Sequence, residues 1–461
     1  MPAVIFAAHV DITIAGKAAS ALIKQLGMQN GIKSISPVQS NNTVLFYKAE
    51  LTPLGYMILS ADDNLPPVIA YSFDNNMDNE EAFLQILKTD IAYRQAAIDK
   101  LPTEKIIQRK AIWAGLLANT SSQSKPFQQW PPNGTTTTGG WLETNWTQSS
   151  PYNQMCPIDP VTSTRSYTGC PATTMAQILN YHKTTNNTHF DDGDDYYHNY
   201  SGRTFWIDND YALHGFPSFT QLNGYLDDLN THYKNNTALT NNDKASLMFA
   251  CGVAAQQVYS SQGSGTYAVS QAYDAYQRFG FNTAELLYTT DSTLYARLAQ
   301  NMKDSLPAHL ALVDDPVTTG HNLVVDGYNT NNYYHVNFGW GGSNNGWYIL
   351  PDEMPYSLTV IEGLIVDIIK SPASSVQPHH DEAGISIYPN PAKNQVVISS
   401  NLAGKGHFEL YDLPGLKVLY SNIDNAYQSL DLSDLKNGTY IYLIKNGKDE
   451  IIKTGKLVLI K

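Results

Sequence analysis

The chain has 461 residues, of which 42% are hydrophobic and 15% charged, a globular composition with room for two to four domains and no collagen-like or disordered bias. A formal charge of -13 argues against nucleic acid or an anionic membrane surface as partner, and no run approaches the roughly 18 apolar residues of a membrane span. Three cysteines, Cys156, Cys170 and Cys251, exclude a disulfide scaffold; the odd number leaves at least one thiol free, and a Cys156–Cys251 bridge stays open.

The apolar opening, residues 1–8, lacks a basic n-region and is compatible with the remnant of a truncated or misassigned signal peptide. From Val10 to about Asn76 the pattern predicts short strands at Asp11 to Ala15, Val44 to Glu50, Gly55 to Asp63 and Pro67 to Phe73. Asp78 then caps a helical stripe through Phe83, Leu87, Ile91, Arg94 and Ile98 that Pro102 ends, and Ile106 to Ala118 reads as a second helix. After His9 this region holds neither histidine nor cysteine, so it carries no chemistry of its own. Between Asn119 and Gly140, Ser, Thr, Pro and Gly predominate and predict an exposed, cleavable linker. An inert domain on such a linker ahead of a nucleophile suggests a removable pro-segment, with an ordinary N-terminal domain as the alternative.

The stretch from Tyr167 to His182 carries a cysteine at the mouth of a helix. Pro171 suits a first-turn position, and Ala172, Met175, Ala176 and Leu179 recur at helical spacing, which makes Cys170 the predicted N-cap. Free N–H groups and the positive end of the helix dipole favour a thiolate there. The other fate of a free cysteine is that of a small buried hydrophobe, and this stretch alone does not decide between them.

Further on, residues 191–195 contain four aspartates but lack the spaced ligands of a calcium loop, so a solvated loop is expected. Lys244 to Tyr259 reads as a second buried helix, running into the flexible residues 260–265. Gly320 to Tyr328 and Tyr333 to Gly342 flank a polar turn and predict a hairpin. That hairpin brings His321 beside Asn337, Phe338 and Trp340, where a base can be held in one orientation. His182, His214 and His335 are expected to be structural. Residues 371–384, with the pair His379-His380, form a second linker, and Ile385 to Lys461 alternates strands and turns as a small β-sandwich does.

Cys170, His321 and then the run from Asn337 to Gly342 repeat the Cys…His…Asn-x-x-Trp order of papain-like proteases, with 321 − 170 = 151 residues between the first two. The pieces Gln148 to Asn153, Gly169 to His182, Gly263 to Gly265, Gly320 to Tyr328 and Tyr334 to Gly342 resemble the streptopain family of bacterial cysteine peptidases more closely. Gly55 to Asp63 and Pro66 to Ser72 resemble that family's inhibitory propeptide. Tyr388 to Ala392, Asn437 to Tyr440 and the lysine-bearing last strand resemble the C-terminal sorting domain of type IX secretion.

The resemblance implies an α+β fold: a propeptide over 1–125, a papain-like catalytic domain over 126–370 with a helical part and an antiparallel sheet part, a linker over 371–384, and a β-sandwich sorting domain over 385–461. It implies a secreted or cell-surface bacterial endopeptidase made as a zymogen, acting on proteins or peptides, held by its own propeptide and handled by the type IX machinery, with no metal or organic cofactor. Carried over by position, Cys170 is the nucleophile, His321 the general base and acid, and Gln148 the oxyanion donor; Asn337 and Trp340 form the wall at His321, and Ser264 and Gly320 touch substrate. Phe338 stands where the family has Trp, which removes an indole N–H from beside His321. An acyltransferase using the same pair, or an inactive adhesion protein, are the competing readings.

Overall fold

The computed structural model describes residues 9–40, 42–77, 87–88, 91–92, 94–96, 98–118, 127–314, 320–350, 360–370, 385–388, 392–399, 406–412, 415–425, 427–448 and 451–461. They form two compact units, Met1–Ser371 and Pro372–Lys461.

The first unit begins with a helix, Ile12–Gln25, where a strand is expected at Asp11 to Ala15. Asp11 decides this: its carboxylate accepts the N–H groups of Thr13 and Ile14 at 2.7 and 2.9 Å, and Ala15, Ala18, Ala19, Leu22 and Ile23 then bury one face. The β-branched residues 12–14 are tolerated because the cap fixes the turn that holds them. Strands β1 (Gly31–Ser40), β2 (Thr43–Thr52), β3 (Tyr56–Ser60) and β4 (Val68–Ser72) follow. β1 is not among the expected strands. It is an edge strand whose only fully buried side chain is Val38, so it lacks the alternation that betrays a strand. The cap expected at Asp78, and Phe83, lie outside the described residues, while Leu87 and Ile91 are helical and buried. The second expected helix is Thr103–Leu117.

Of the expected linker, residues 119–126 lie outside the described residues, and 127–140 does not hang free. β5 (Gln129–Trp130) pairs with a later strand, and residues 138–140 are buried. A β-carbon on Gly140 would come 2.2 Å from the Asp326 carboxylate. The small residues here mark close approach rather than looseness.

A separate hairpin, β6 (Tyr196–Tyr200) and β7 (Arg203–Ile207), precedes β8 (Glu285–Leu287), β9 (Ala308–Val313), β10 (Gly320–Asn329), β11 (Tyr334–Asn337), β12 (Gly346–Tyr348) and β13 (Val360–Val366). One antiparallel sheet of 11 strands takes them in the order β1-β2-β3-β4-β12-β11-β10-β9-β13-β8, with β5 on β10. The N-terminal strands therefore continue the sheet of the hairpin that carries His321, through the register Tyr71–Trp347 and Ala70–Tyr348.

Successive strand residues face opposite sides of a sheet, and the two sides here pack different layers. On one, Val324 and Ala311 meet the helices Cys170–His182, Asn241–Ala254 and Val269–Arg278. On the other, Leu323 and Val325 meet Phe46, Ile58 and Ile69 of the N-terminal strands and Leu294 and Met302 of the helix Leu294–Lys303. Cys156 and Cys251 are separate buried thiols, not a bridge.

The second unit contains β14 (Ser386–Tyr388), β15 (Gln395–Ser399), β16 (Gly406–Tyr411), β17 (Lys417–Ile423), β18 (Tyr427–Asp431), β19 (Gly438–Asn446) and β20 (Ile451–Leu459). They form two sheets, β14-β15-β18 and β17-β16-β19-β20, around Val396, Ile398, Phe408, Leu410, Ile444 and Leu457. β18 adds a strand to those expected. The linker 371–384 with His379-His380 lies outside the described residues.

Candidate active site

Cys170 is the first residue of its helix, not the cap. Gly169 takes the N-cap position at φ +81°, and a β-carbon there would come 2.9 Å from the Ser264 carbonyl oxygen. Glycine is thus required both by the backbone turn and by the approach of residues 260–265. The preceding residues are pinned on every side: Thr168 N–H donates to the Gln148 carbonyl at 3.0 Å, Tyr167 N–H to the Ser260 carbonyl at 3.2 Å, and the Gln257 amide to the Thr168 carbonyl at 2.6 Å. Gln148 and Ser264 are thereby brought alongside Cys170.

The thiol is pushed up, not down as the helix end alone predicts. Burial of the sulfur is the largest cause, and Glu362 adds to it; the N–H groups of Asn322 and Cys170 and the Asn322 amide pull the other way. The Asn322 side chain donates Nδ2–H toward the sulfur at 4.0 Å.

His321 lies on the opposite face of β10 from Asn322. Its ring stacks on Trp340 at 4.5 Å and 29°, with Phe338 behind at 6.1 Å and 13°. Nε2–H donates to the Phe338 carbonyl at 2.9 Å. This fixes the tautomer in which Nδ1 carries the free lone pair, the form a general base needs. The orienting group is a main-chain carbonyl, so the Phe that replaces Trp at 338 does not disturb it. Burial lowers His321 to about 4, the Phe338 contact opposing, so the imidazole is neutral. No hydrogen bond joins His321 to Cys170: the strand puts Asn322, rather than its neighbour, against the sulfur.

Asn337 makes its hydrogen bonds away from His321. Its Nδ2 donates to the Thr144 carbonyl at 2.8 Å, and its Oδ1 accepts from the Gly339 N–H at 3.0 Å and the Gln177 amide at 3.3 Å. Gln177 also accepts from the Thr144 hydroxyl and the Trp146 N–H at 3.0 and 3.2 Å. A fully buried residue two helical turns after Cys170 therefore ties the segment leading to Gln148 and the hairpin bearing His321 to one helix. Sequence reasoning passed over it, although a glutamine among Ala172, Met175, Ala176, Ile178 and Leu179 is the signal to look for. Gly320 opens β10, exposed beside Leu312 and Val313.

The polar clusters around the other expected histidines and aspartates are structural. His335 Nδ1 lies 2.6 Å from Asp326, whose other oxygen accepts the Leu142 N–H, and His214 faces the Ile158 carbonyl. His182 packs against Tyr181 and Phe281. Asp191 and Asp194 cap their own turn, and Asp194 pairs with Arg278. Among the described residues no group of three or more metal-ligating side chains comes together.

A thiol at a helix start, a tautomer-fixed imidazole and a glutamine beside the thiol are the parts of a cysteine hydrolase. Residues 146–348 match the peptidase C10 family. They are a peptidase C10 domain, of the streptopain family. Residues 7–94 match the Spi protease inhibitor family and 386–460 the secretion system C-terminal sorting domain. Streptopain of Streptococcus pyogenes is 24% identical over 340 residues, 68% of this chain and 75% of its own length. The thiol protease/hemagglutinin PrtT of Porphyromonas gingivalis is 24% identical over 341 residues, 66% of this chain and 33% of that protein. A solved prointerpain A fragment of Prevotella intermedia has 22% identity and a TM-score of 0.49, covering 74% of this chain and 99% of that one. The chain is thus a cysteine-type endopeptidase with an inhibitory N-terminal domain, and its sorting domain marks it as secreted or held at the cell surface. No helix among the described residues is long and apolar enough to cross a membrane.

Proposed function

We propose that the chain is the zymogen of a secreted endopeptidase in which Cys170 is the nucleophile and His321 its base. What supports this is that Cys170 starts its helix with Asn322 at its sulfur, while His321, on the other face of β10, is held by the Phe338 carbonyl and makes no hydrogen bond to Cys170, and the N-terminal strands are laddered into the His321 sheet through β4 and β12. That is the arrangement of a held, inactive pair: a thiol raised by burial and a neutral imidazole. In the active form, Nδ1 of His321 takes the thiol proton and the thiolate attacks a peptide carbonyl. The Cys170 N–H and the Gln148 amide receive the oxyanion, His321 returns the proton to the leaving amine, and water releases the acyl group. Ser264, beside Gly169, and Gly320, at the start of β10, border the cleft where substrate lies, and Trp340 walls the imidazole. The N-terminal domain, over about 1–125, is the intramolecular inhibitor; protein or peptide chains are the substrates; and the β-sandwich, over about 385–461, is the part the secretion machinery reads.

The test is to incubate the processed protein with a thiol-trapping peptide inhibitor and with casein, beside Cys170→Ala and His321→Ala. Label on Cys170 and casein cleavage that both variants lack is the expected result; cleavage that survives either substitution ends the dyad reading. Self-cleavage is expected within 119–126, because 127–140 is tied down.

A further inference from the structure

Cys170 is served by a second, buried polar chain that the dyad does not use. Tyr276, on the helix Val269–Arg278, has its hydroxyl 3.2 Å from Nδ1 of His309. Nε2 of His309 lies 2.6 Å from Oδ1 of Asn322, and Nδ2 of Asn322 points at Cys170 Sγ at 4.0 Å. His309 on β9 is cross-strand partner to Val324, so it meets Asn322 on the diagonal, on the helix-facing side of the sheet. Tyr276 and His309 are inaccessible to solvent, and burial, with the Asn322 contact opposing, keeps the imidazole neutral near neutral pH, at about 4.

Two assignments of hydrogens pair these contacts, and one of them leaves a buried proton idle. In the first, the Tyr276 hydroxyl donates to an unprotonated Nδ1, Nε2–H donates to Oδ1, and the Asn322 amide is left with its N–H toward the sulfur. The donors all run one way and end on Cys170. In the second, with the amide flipped, Nδ1–H donates to the hydroxyl oxygen and Nε2 accepts the amide N–H; the buried Tyr276 proton is then left without a partner among the described residues, and a carbonyl oxygen faces the sulfur, where it opposes a thiolate.

We propose that Asn322 is a further catalytic residue, donating to the Cys170 sulfur and favouring its thiolate, and that His309 and Tyr276 are positioning residues that hold the amide in that sense. This rests on Cys170 being the nucleophile. The relay reaches the sulfur from the helix side of the sheet while His321 sits on the other, so thiolate stabilisation and proton transfer are assigned to different groups. Of the titratable groups felt at the sulfur, Glu362 opposes the relay, which makes a neutral donor at Asn322 the more consequential.

The experiment measures the rate of Cys170 alkylation by iodoacetamide against pH on the full unprocessed chain, with mass spectrometry separating Cys170 from Cys156 and Cys251. Asn322→Ala should move the profile up by about one pH unit and slow alkylation about tenfold at neutral pH, as loss of one hydrogen bond to an ionised group does. His309→Phe should move it the same way by less, and add nothing in the Asn322→Ala background; His309→Gln, which keeps an N–H for Oδ1, should restore most of the shift. If His309→Phe does not fold, Tyr276→Phe takes its place in the same cycle. An unmoved profile in Asn322→Ala of unchanged melting temperature, or a His309 effect undiminished without Asn322, overturns the relay. If instead Cys170→Ala or His321→Ala still cuts casein, the dyad has failed, whatever the alkylation profile does; if both are dead and the Asn322→Ala profile is unmoved, only the relay has failed.

Discussion

Strands β1–β4 share both hydrogen bonds and core with the hairpin that carries His321, whereas strands β14–β20 close a core of their own. Trp347 of β12 stacks on Tyr71 of β4 at 6.2 Å and 9° and is buried, with Tyr333, among Val10, Ala15, Leu22 and Trp113. The C-terminal core is drawn, among the described residues, from 385–459 alone. The difference follows from what each module has to do. An inhibitor must be felt at the site, and a shared sheet transmits its presence through β12, β11 and β10; a sorting domain needs only to stay folded and be recognised.

The largest test of this contrast is Trp347→Ala. Removing a side chain only 2% exposed at the centre of the shared core should cost about 3–5 kcal/mol in urea unfolding of the unprocessed chain. A loss below about 1 kcal/mol would mean that the shared core is not a working interface.

Acid separates the modules next. Burial holds His309 and His321 at about 4 when folded against an ordinary 6.5, so the unfolded chain takes up their protons first. Their contribution is intact above about pH 6.5 and is lost as pH falls toward 4, each worth up to about 3 kcal/mol. In the C-terminal unit the sign is set by a carboxylate. Burial alone would raise Glu409, but Lys417, Lys445 and Tyr411 outweigh it and hold it at about 2 against 4.5. That contribution is full above about pH 4.5 and fades only toward 2. A melting series from pH 7 to 3 should therefore show the first unit weakening while the second holds; a common transition at every pH would break the comparison.

Gly346→Ala is a smaller, directed lesion. A β-carbon there would come 2.7 Å from the Tyr71 carbonyl oxygen, across the β4–β12 join. The clash exists only while the N-terminal strands are seated, so the variant should destabilise the unprocessed chain by about 1–3 kcal/mol and speed self-processing, with little effect on the processed enzyme. A gel time course no faster than that of the parent chain would show that the join does not restrain activation.

How much of this was legible in advance depends on how local the information is. Cys170 with Pro171, and Gly320 with His321, sit in short contiguous stretches whose chemistry can be read in place, as does the hairpin turn. Asp11 was equally local, but a run of Ile, Thr and Ile after it imitated a strand. The join of Tyr71 to Trp347 left no trace, because pairing between segments so far apart has no local signature. The alternation of β10 was readable, yet nothing in the sequence says which face the Cys170 helix meets. That single fact puts Asn322, not His321, at the sulfur, and with it hid both the latent state and the His309 relay.

The smallest expected effect is the most exposed to refutation. If the C-terminal core is self-contained, a chain ending at Ser371 should unfold in urea within about 0.5 kcal/mol of the first transition of the full chain. It should also process itself at the same rate, since every described core residue of the first unit lies at or before Ile368. Only export should suffer, with the shortened chain retained inside the cell while its Cys170 alkylation profile stays where it was. Were truncation to shift that profile, the second unit would be acting on the thiol, and the division between a module woven into the site and one merely appended to it would be lost.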